Sequence, residues 1–77
     1  MINPVEIGKR LRNLRGNKTV QCVADAIGIS RSALAMYEIG DRIPRDEIKI
    51  KICKYYGVDI NIFFDENNTI RVDEESA

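Results

Sequence analysis

The sequence predicts an all-α fold, a compact five-helix domain with a short polar C-terminal tail. Three observations carry that prediction. Apolar residues recur at three- and four-residue spacing over most of positions 1–64, the period of a helix that buries one face. Asn3, Thr19, Ser30 and Asp59, all good N-cap types, each stand just ahead of such a segment. Gly16, Gly28 and Gly40 stand just behind the first three. With 77 residues, 44% of them apolar, and only 5 Gly and 2 Pro, the chain suits one small ordered domain with a thin core.

The first helix opens with Asn3 as cap and Pro4 at the first helical position, and Glu6 stands where a capping-box acid reaches back. Ile7, Leu11 and Leu14 form one stripe at i, i+4 and i+7. Lys9, Arg10, Arg12 and Arg15 cover the remainder, and the first three of these are expected to be solvated. The second helix runs from its cap Thr19 through Val20, Val23, Ala24 and Ile27 to Gly28. The third follows Ile29 and its cap Ser30, turns Leu34 and Tyr37 inward, and closes at Ile39 and Gly40.

The run RDEIKIKICKYYG (residues 45–57) fits two periods. Ile48, Ile50 and Ile52 alternate with Lys49 and Lys51 as in a half-buried strand, yet Ile48, Ile52, Tyr55 and Tyr56 also keep helical spacing. Asp46 and Glu47 at one end, with Lys51 and Lys54 at the other, complement a helix dipole. Asp59 then caps a short fifth helix, INIFF, too apolar to be left in water. Past it the chain turns polar, and TIRVD is read as either flexible or a short strand between solvated segments.

The formal net charge is zero, but it is divided unevenly. Residues 1–64 carry 11 Lys and Arg against 7 Asp and Glu, whereas residues 65–77 carry 5 acids against Arg71. A mildly basic body with an acidic tail suits nucleic acid without requiring it. Cys22 and Cys53 have no CxxC spacing and are read as two small buried hydrophobes rather than a disulfide. No stretch approaches the roughly 18 apolar residues of a membrane span, and the start is no secretory signal, so a cytoplasmic setting is expected. An enzyme is not expected. There is no His, no Gly-rich phosphate loop and no nucleophile beside a base, and the pairs Asp46/Glu47 and Asp65/Glu66 read as dipole complement and solvated tail. No metal or cofactor is called for.

Residues 20–39 fit a helix-turn-helix, two short helices packed across each other through a tight turn. Ala24 is small where the second helix crosses above it, and Gly28 suits a left-handed turn position. Val23, Ile27, Ile29, Leu34 and Tyr37 are apolar where the unit buries its inner face. The outer face of the third helix lacks the usual Glu and Lys dressing. That bareness fits a helix laid into the major groove, where acids would repel phosphate; a covering protein partner is the other reading.

The run TVQCVADAIGISRSALAMYEIGDRIP resembles the Cro and phage-repressor family of helix-turn-helix proteins, also called the XRE family, and PRDEIKIKICKYYGVDINIFF continues in that family's manner. The resemblance covers about residues 5–64. It implies a lambda-repressor-like DNA-binding domain over residues 1–64, with the helix-turn-helix unit at 20–39 and an acidic tail at 65–77. It also implies that residues 45–57 are helix. Many relatives carry Gln where this chain has Val20; Gln21, one residue on, points about 100° away around the helix. The link RGNKT is shorter than in many relatives. From the resemblance, Glu38 is expected to pair with Arg15 and fix the angle between the first and third helices.

The chemistry of the remaining residues suggests roles. Arg31 suits either a guanine edge or a phosphate, Ser32 either a base edge or a phosphate, and Ala35 and Met36 a thymine methyl. The expected phosphate set is Lys18, Thr19, Gln21, Ser30, Arg42 and Arg45, with backbone N–H groups at the starts of the second and third helices. One domain covers only a half-site, so a homodimer on a two-fold symmetric operator is expected, joined through Ile60, Phe63 and Phe64, for which plain closure of the core is the other reading. The function expected from all this is a sequence-specific, double-stranded-DNA-binding regulator, a repressor, bacterial or phage-encoded. The alternative is an antitoxin or antirepressor-type protein-interaction module on the same fold, with the tail engaging a protein partner.

Overall fold

A computed structural model of the protein describes residues 2–65. Four α-helices, α1 (Pro4–Arg15), α2 (Val20–Ile27), α3 (Arg31–Ile39) and α4 (Asp46–Tyr56), are followed by a 3-10 turn at Ile60–Phe63. The flexible or strand-forming stretch expected in the tail lies outside the described residues. The run 45–57 is helix, as the resemblance implied, and among the described residues there is no strand.

The fifth helix is a single 3-10 turn instead. Ile62 N–H donates to Asp59 O at 3.1 Å and Phe64 N–H to Asn61 O at 3.0 Å, both i to i+3. Four residues close too few bonds to offset helix nucleation, and the tighter winding satisfies them in place.

The caps act as their residue types require. Asn3 accepts from Glu6 N–H at 2.8 Å, Thr19 Oγ1 from Cys22 N–H at 3.0 Å, Ser30 Oγ from Ala33 N–H at 3.0 Å and Asp59 from Asn61 N–H at 2.8 Å. Only α4 starts without a side-chain cap; Arg45 holds that place, and Asp46 and Glu47 in the first turn face the positive end of the dipole. Between α2 and α3 the chain reverses at Gly28, whose φ of +91° lets Ala24 O accept from both Gly28 and Ile29 N–H.

One core joins all five segments. Ile7 and Leu11 of α1, Val23 and Ala24 of α2, Leu34 of α3, Ile52 of α4, and Ile62 and Phe63 of the turn are sealed from solvent. Leu14 is only partly buried at the edge of this cluster. On α4 the helical face Ile48, Ile52, Tyr55 and Tyr56 packs inward, which leaves Ile50 half-exposed on the other side.

Three expectations about burial are corrected. Arg10 is not solvated: it is buried, and its guanidinium donates to Ile62 O at 2.8 Å while Glu6 stands at 3.7 Å. The long side chain crosses apolar ground to satisfy a carbonyl that the short 3-10 turn would otherwise strand. Cys22 is exposed, because it falls on the outer side of α2, and only Cys53 is buried. Phe63 is fully enclosed by the core and has no surface to offer a partner, so of the three residues assigned to a dimer contact only Ile60 and Phe64 remain outside.

The tightest helix contact involves Gly8. A methyl group there would fall on the carbonyl oxygen of Glu38, so α1 and α3 meet backbone to backbone at the C-terminal end of α3. Gly40, at φ +85°, also approaches the start of α1, less closely: a Cβ there would stand 2.9 Å from Val5 Cα.

Gly8→Ala is therefore expected to cost about 3 kcal/mol, against about 1 kcal/mol for Gly28→Ala, which meets open space but an unfavourable φ. Urea midpoints of the two variants test this, and equal costs would place the contact elsewhere. Burial pushes the Cys53 thiol up to about 11, helped by nearby Asp59. A thiol reagent at pH 8 is expected to modify Cys22 alone in the folded chain and both cysteines once urea unfolds it.

Candidate nucleic-acid interface

The outward stripe of α3 consists of Ser32, Ala35, Met36 and Ile39, at i, i+3, i+4 and i+7, with Arg31 beside its start. Arg31, Ser32 and Ile39 are exposed, and Ala35 and Met36 partly so. The inward side is Leu34, Tyr37 and Glu38. Ile39, 62% exposed, completes the stripe and was not assigned a contact from sequence, although its i+7 spacing from Ser32 was available there.

Glu38, the one acid of α3, is turned away from that face. Its carboxylate accepts two bonds from Arg15, Nε at 2.8 Å and Nη2 at 3.0 Å, a paired fork geometry. The Glu38 side chain is 4% exposed and that of Arg15 19%. The hydrogen bond to Glu38 raises the Arg15 pKa further, so the guanidinium stays charged. A third donor, Nη1, reaches Lys18 O at 2.7 Å. One side chain of α1 thereby holds both the last turn of α3 and the residue before the α2 cap.

Tyr56 lies near this pair. Burial pushes its hydroxyl up to about 12, with the Glu38 charge adding to the shift, and Oη has no hydrogen-bond partner among the described residues.

The residues assigned to phosphate are exposed but not all idle. Thr19 and Ser30 accept capping bonds through their hydroxyl oxygens, which leaves each O–H free to donate outward. The first-turn N–H groups of Val20, Gln21, Arg31 and Ser32 have no partner within their own helices. Gln21 Nε2 donates to Asp25 at 2.8 Å, one helical turn away, which commits half of its amide. Lys18 Nζ sits 3.2 Å from Tyr55 Oη and 5.2 Å from the ring centre, so α4 steadies it. Arg42 and Arg45 are exposed on the link between α3 and α4.

On the far side, Ile60 and Phe64 are exposed beside Ile50 and line a shallow apolar groove with Asp46 and Lys49. The Lys49 ammonium lies 4.6 Å from the Phe64 ring centre and 3.6 Å from Asp46. Among the described residues no group of His, Cys, Asp and Glu is placed to hold a metal ion, and no helix is long and apolar enough to cross a membrane.

A family model described as helix-turn-helix, of the Cro and phage-repressor type, matches residues 9–63. No curated protein matches the chain.

Removing either half of the ion pair is expected to destabilise unequally. Arg15→Ala strands a buried carboxylate and is expected to cost about 3–5 kcal/mol; Glu38→Ala, which leaves the better-exposed partner with its bond to Lys18 O, is expected to cost less. Chemical denaturation of both variants decides the order, and the reverse order would mean that Arg15 is the group that cannot be left alone.

Proposed function

The chain belongs to the helix-turn-helix family of the Cro and phage-repressor type, a DNA-binding regulatory domain, and on that premise we propose that it is a sequence-specific repressor that reads the major groove with α3. The observation that carries this reading is the acid-free stripe Ser32, Ala35, Met36 and Ile39, kept so because Glu38 is drawn inward to Arg15. A helix so faced approaches base edges without repelling the phosphates on either side. Arg31, at the N-terminal end of the stripe, is suited to a bidentate contact with guanine O6 and N7. Lys18, Arg42 and Arg45, the Thr19 and Ser30 hydroxyls and the first-turn amides of α2 and α3 set orientation through phosphates.

The same reading includes a homodimer. Two copies would meet through Ile60 and Phe64, with Ile50 extending the apolar area, and would address two half-sites of a two-fold symmetric operator. The regulator acts in the cytoplasm, and its domain ends near residue 64.

Selection of genomic DNA fragments on the purified protein at physiological salt tests the reading, run beside Arg31→Ala. Enrichment of a symmetric site is expected, with Arg31→Ala costing about 1–3 kcal/mol and relaxing the sequence preference. Arg42→Ala and Arg45→Ala are expected to weaken all sequences alike and to lower the salt slope by about one each. No enrichment by the parent protein would sink the stand-alone repressor and favour a protein partner.

A further inference from the structure

The cations of the proposed phosphate set are not held alike. Arg31, Arg42 and Arg45 are exposed and make no hydrogen bond or ion pair among the described residues. Lys18 is exposed as well, yet it is fixed at both ends. Its backbone carbonyl accepts from Arg15 Nη1 at 2.7 Å. Its ammonium donates to Tyr55 Oη at 3.2 Å and stands 5.2 Å from the centre of the same ring. One residue of the link between α1 and α2 is thus tied to α1 by its backbone and to α4 by its side chain.

The chemistry of the second tie differs from that of the other engaged cations. Arg10, Arg15 and Lys49 each face a carboxylate, that of Glu6, Glu38 and Asp46 respectively. Lys18 is tied to a neutral hydroxyl and a ring, so its position is fixed while its charge stays uncompensated. An ammonium has three donors, and the bond to Oη takes only one of them. The anchor is itself steadied. Tyr55 is partly buried near the end of α4, and its ring meets that of Tyr56 edge to face, with centroids 5.0 Å apart and planes at 64°. Tyr56 packs in turn against the core.

We propose that Tyr55 is a positioning residue for DNA binding, one that holds the Lys18 ammonium ready for a phosphate. The proposal rests on the reading of α2 and α3 as the DNA-binding surface. A free lysine loses the freedom of a long side chain when it meets an anion, and that ordering is subtracted from affinity. Tyr55 brings about part of the ordering before DNA arrives. It acts through Lys18 alone and gives the phosphate no contact of its own.

The test uses the full chain with Tyr55→Phe, which removes the hydroxyl and keeps the ring, with Lys18→Met, and with the two combined. Each is bound to a random-sequence duplex over a range of salt, since such binding is almost wholly electrostatic. Lys18→Met is expected to lower the salt slope by about one. Tyr55→Phe is expected to weaken binding roughly threefold with the slope unchanged, because the same charge still reaches the phosphate. In the Lys18→Met background it is expected to change nothing. Without DNA, NMR relaxation at Lys18 Cε is expected to show a more restricted side chain than at Lys51 or Lys54, and Tyr55→Phe to release it.

A loss on Tyr55→Phe that persists in the Lys18→Met background would mean that Tyr55 acts on DNA or on the fold by itself, and would overturn the proposal. Undiminished binding by Tyr55→Phe would overturn it too, with the DNA-binding reading left intact. A parent protein that binds no duplex would remove that reading and the proposal with it, even if Lys18 proved restricted.

Discussion

The fork between Arg15 and Glu38 is the constraint on which the remaining architecture depends. A nine-residue helix such as α3 has too few internal bonds to hold itself together, let alone to hold an angle. Its orientation is supplied from α1. Two charged hydrogen bonds fix one end of α3, and the third donor of the same guanidinium fixes the carbonyl just before the α2 cap. Because both carboxylate oxygens and three guanidinium nitrogens are engaged, the arrangement tolerates little rotation. Lysine, with a single point of charge, has no equivalent geometry.

Steric contact works with this pair. Gly8 lets the α1 backbone lie on the last turn of α3, at the very residue whose side chain Arg15 holds, and Gly40 lets the following turn close over Val5. The ion pair sets direction and the glycines set distance. Neither suffices alone, since a charged pair acts over a range of separations and a bare backbone contact slides.

These features were unequally legible in the sequence. The caps at Asn3, Thr19, Ser30 and Asp59 could be read directly, because capping depends on a residue and its neighbours three positions on. The helix-turn-helix unit could be read because Ala24, Gly28 and the apolar inner face leave few alternatives. Gly8 could not, since its partner is a backbone carbonyl 30 residues away and a helical glycine carries no local mark. Arg10 looked solvated because its neighbours Lys9 and Arg12 are basic; the stranded carbonyl of Ile62 that attracts it belongs to another segment. The same distance effect hid Phe63, whose spacing fits a surface patch with Ile60 and Phe64 until the fold turns it inward. In the fifth segment, apolar composition signalled burial correctly but gave no measure of length, and four residues wind as 3-10 rather than α. Residue types near in sequence reveal local structure, whereas long-range satisfaction of polar atoms needs coordinates.

The division of α3 into an inner and an outer side has an evolutionary meaning. Leu34, Tyr37 and Glu38 carry the packing, while Ser32 and Ile39 carry almost none and Ala35 and Met36 only part. Substitutions on the outer stripe are therefore close to neutral for folding. A lineage carrying this scaffold can alter those four letters one at a time and stay folded throughout, so that, under the proposed reading of α3, new binding preferences would arise by drift along a viable path rather than by rebuilding the domain.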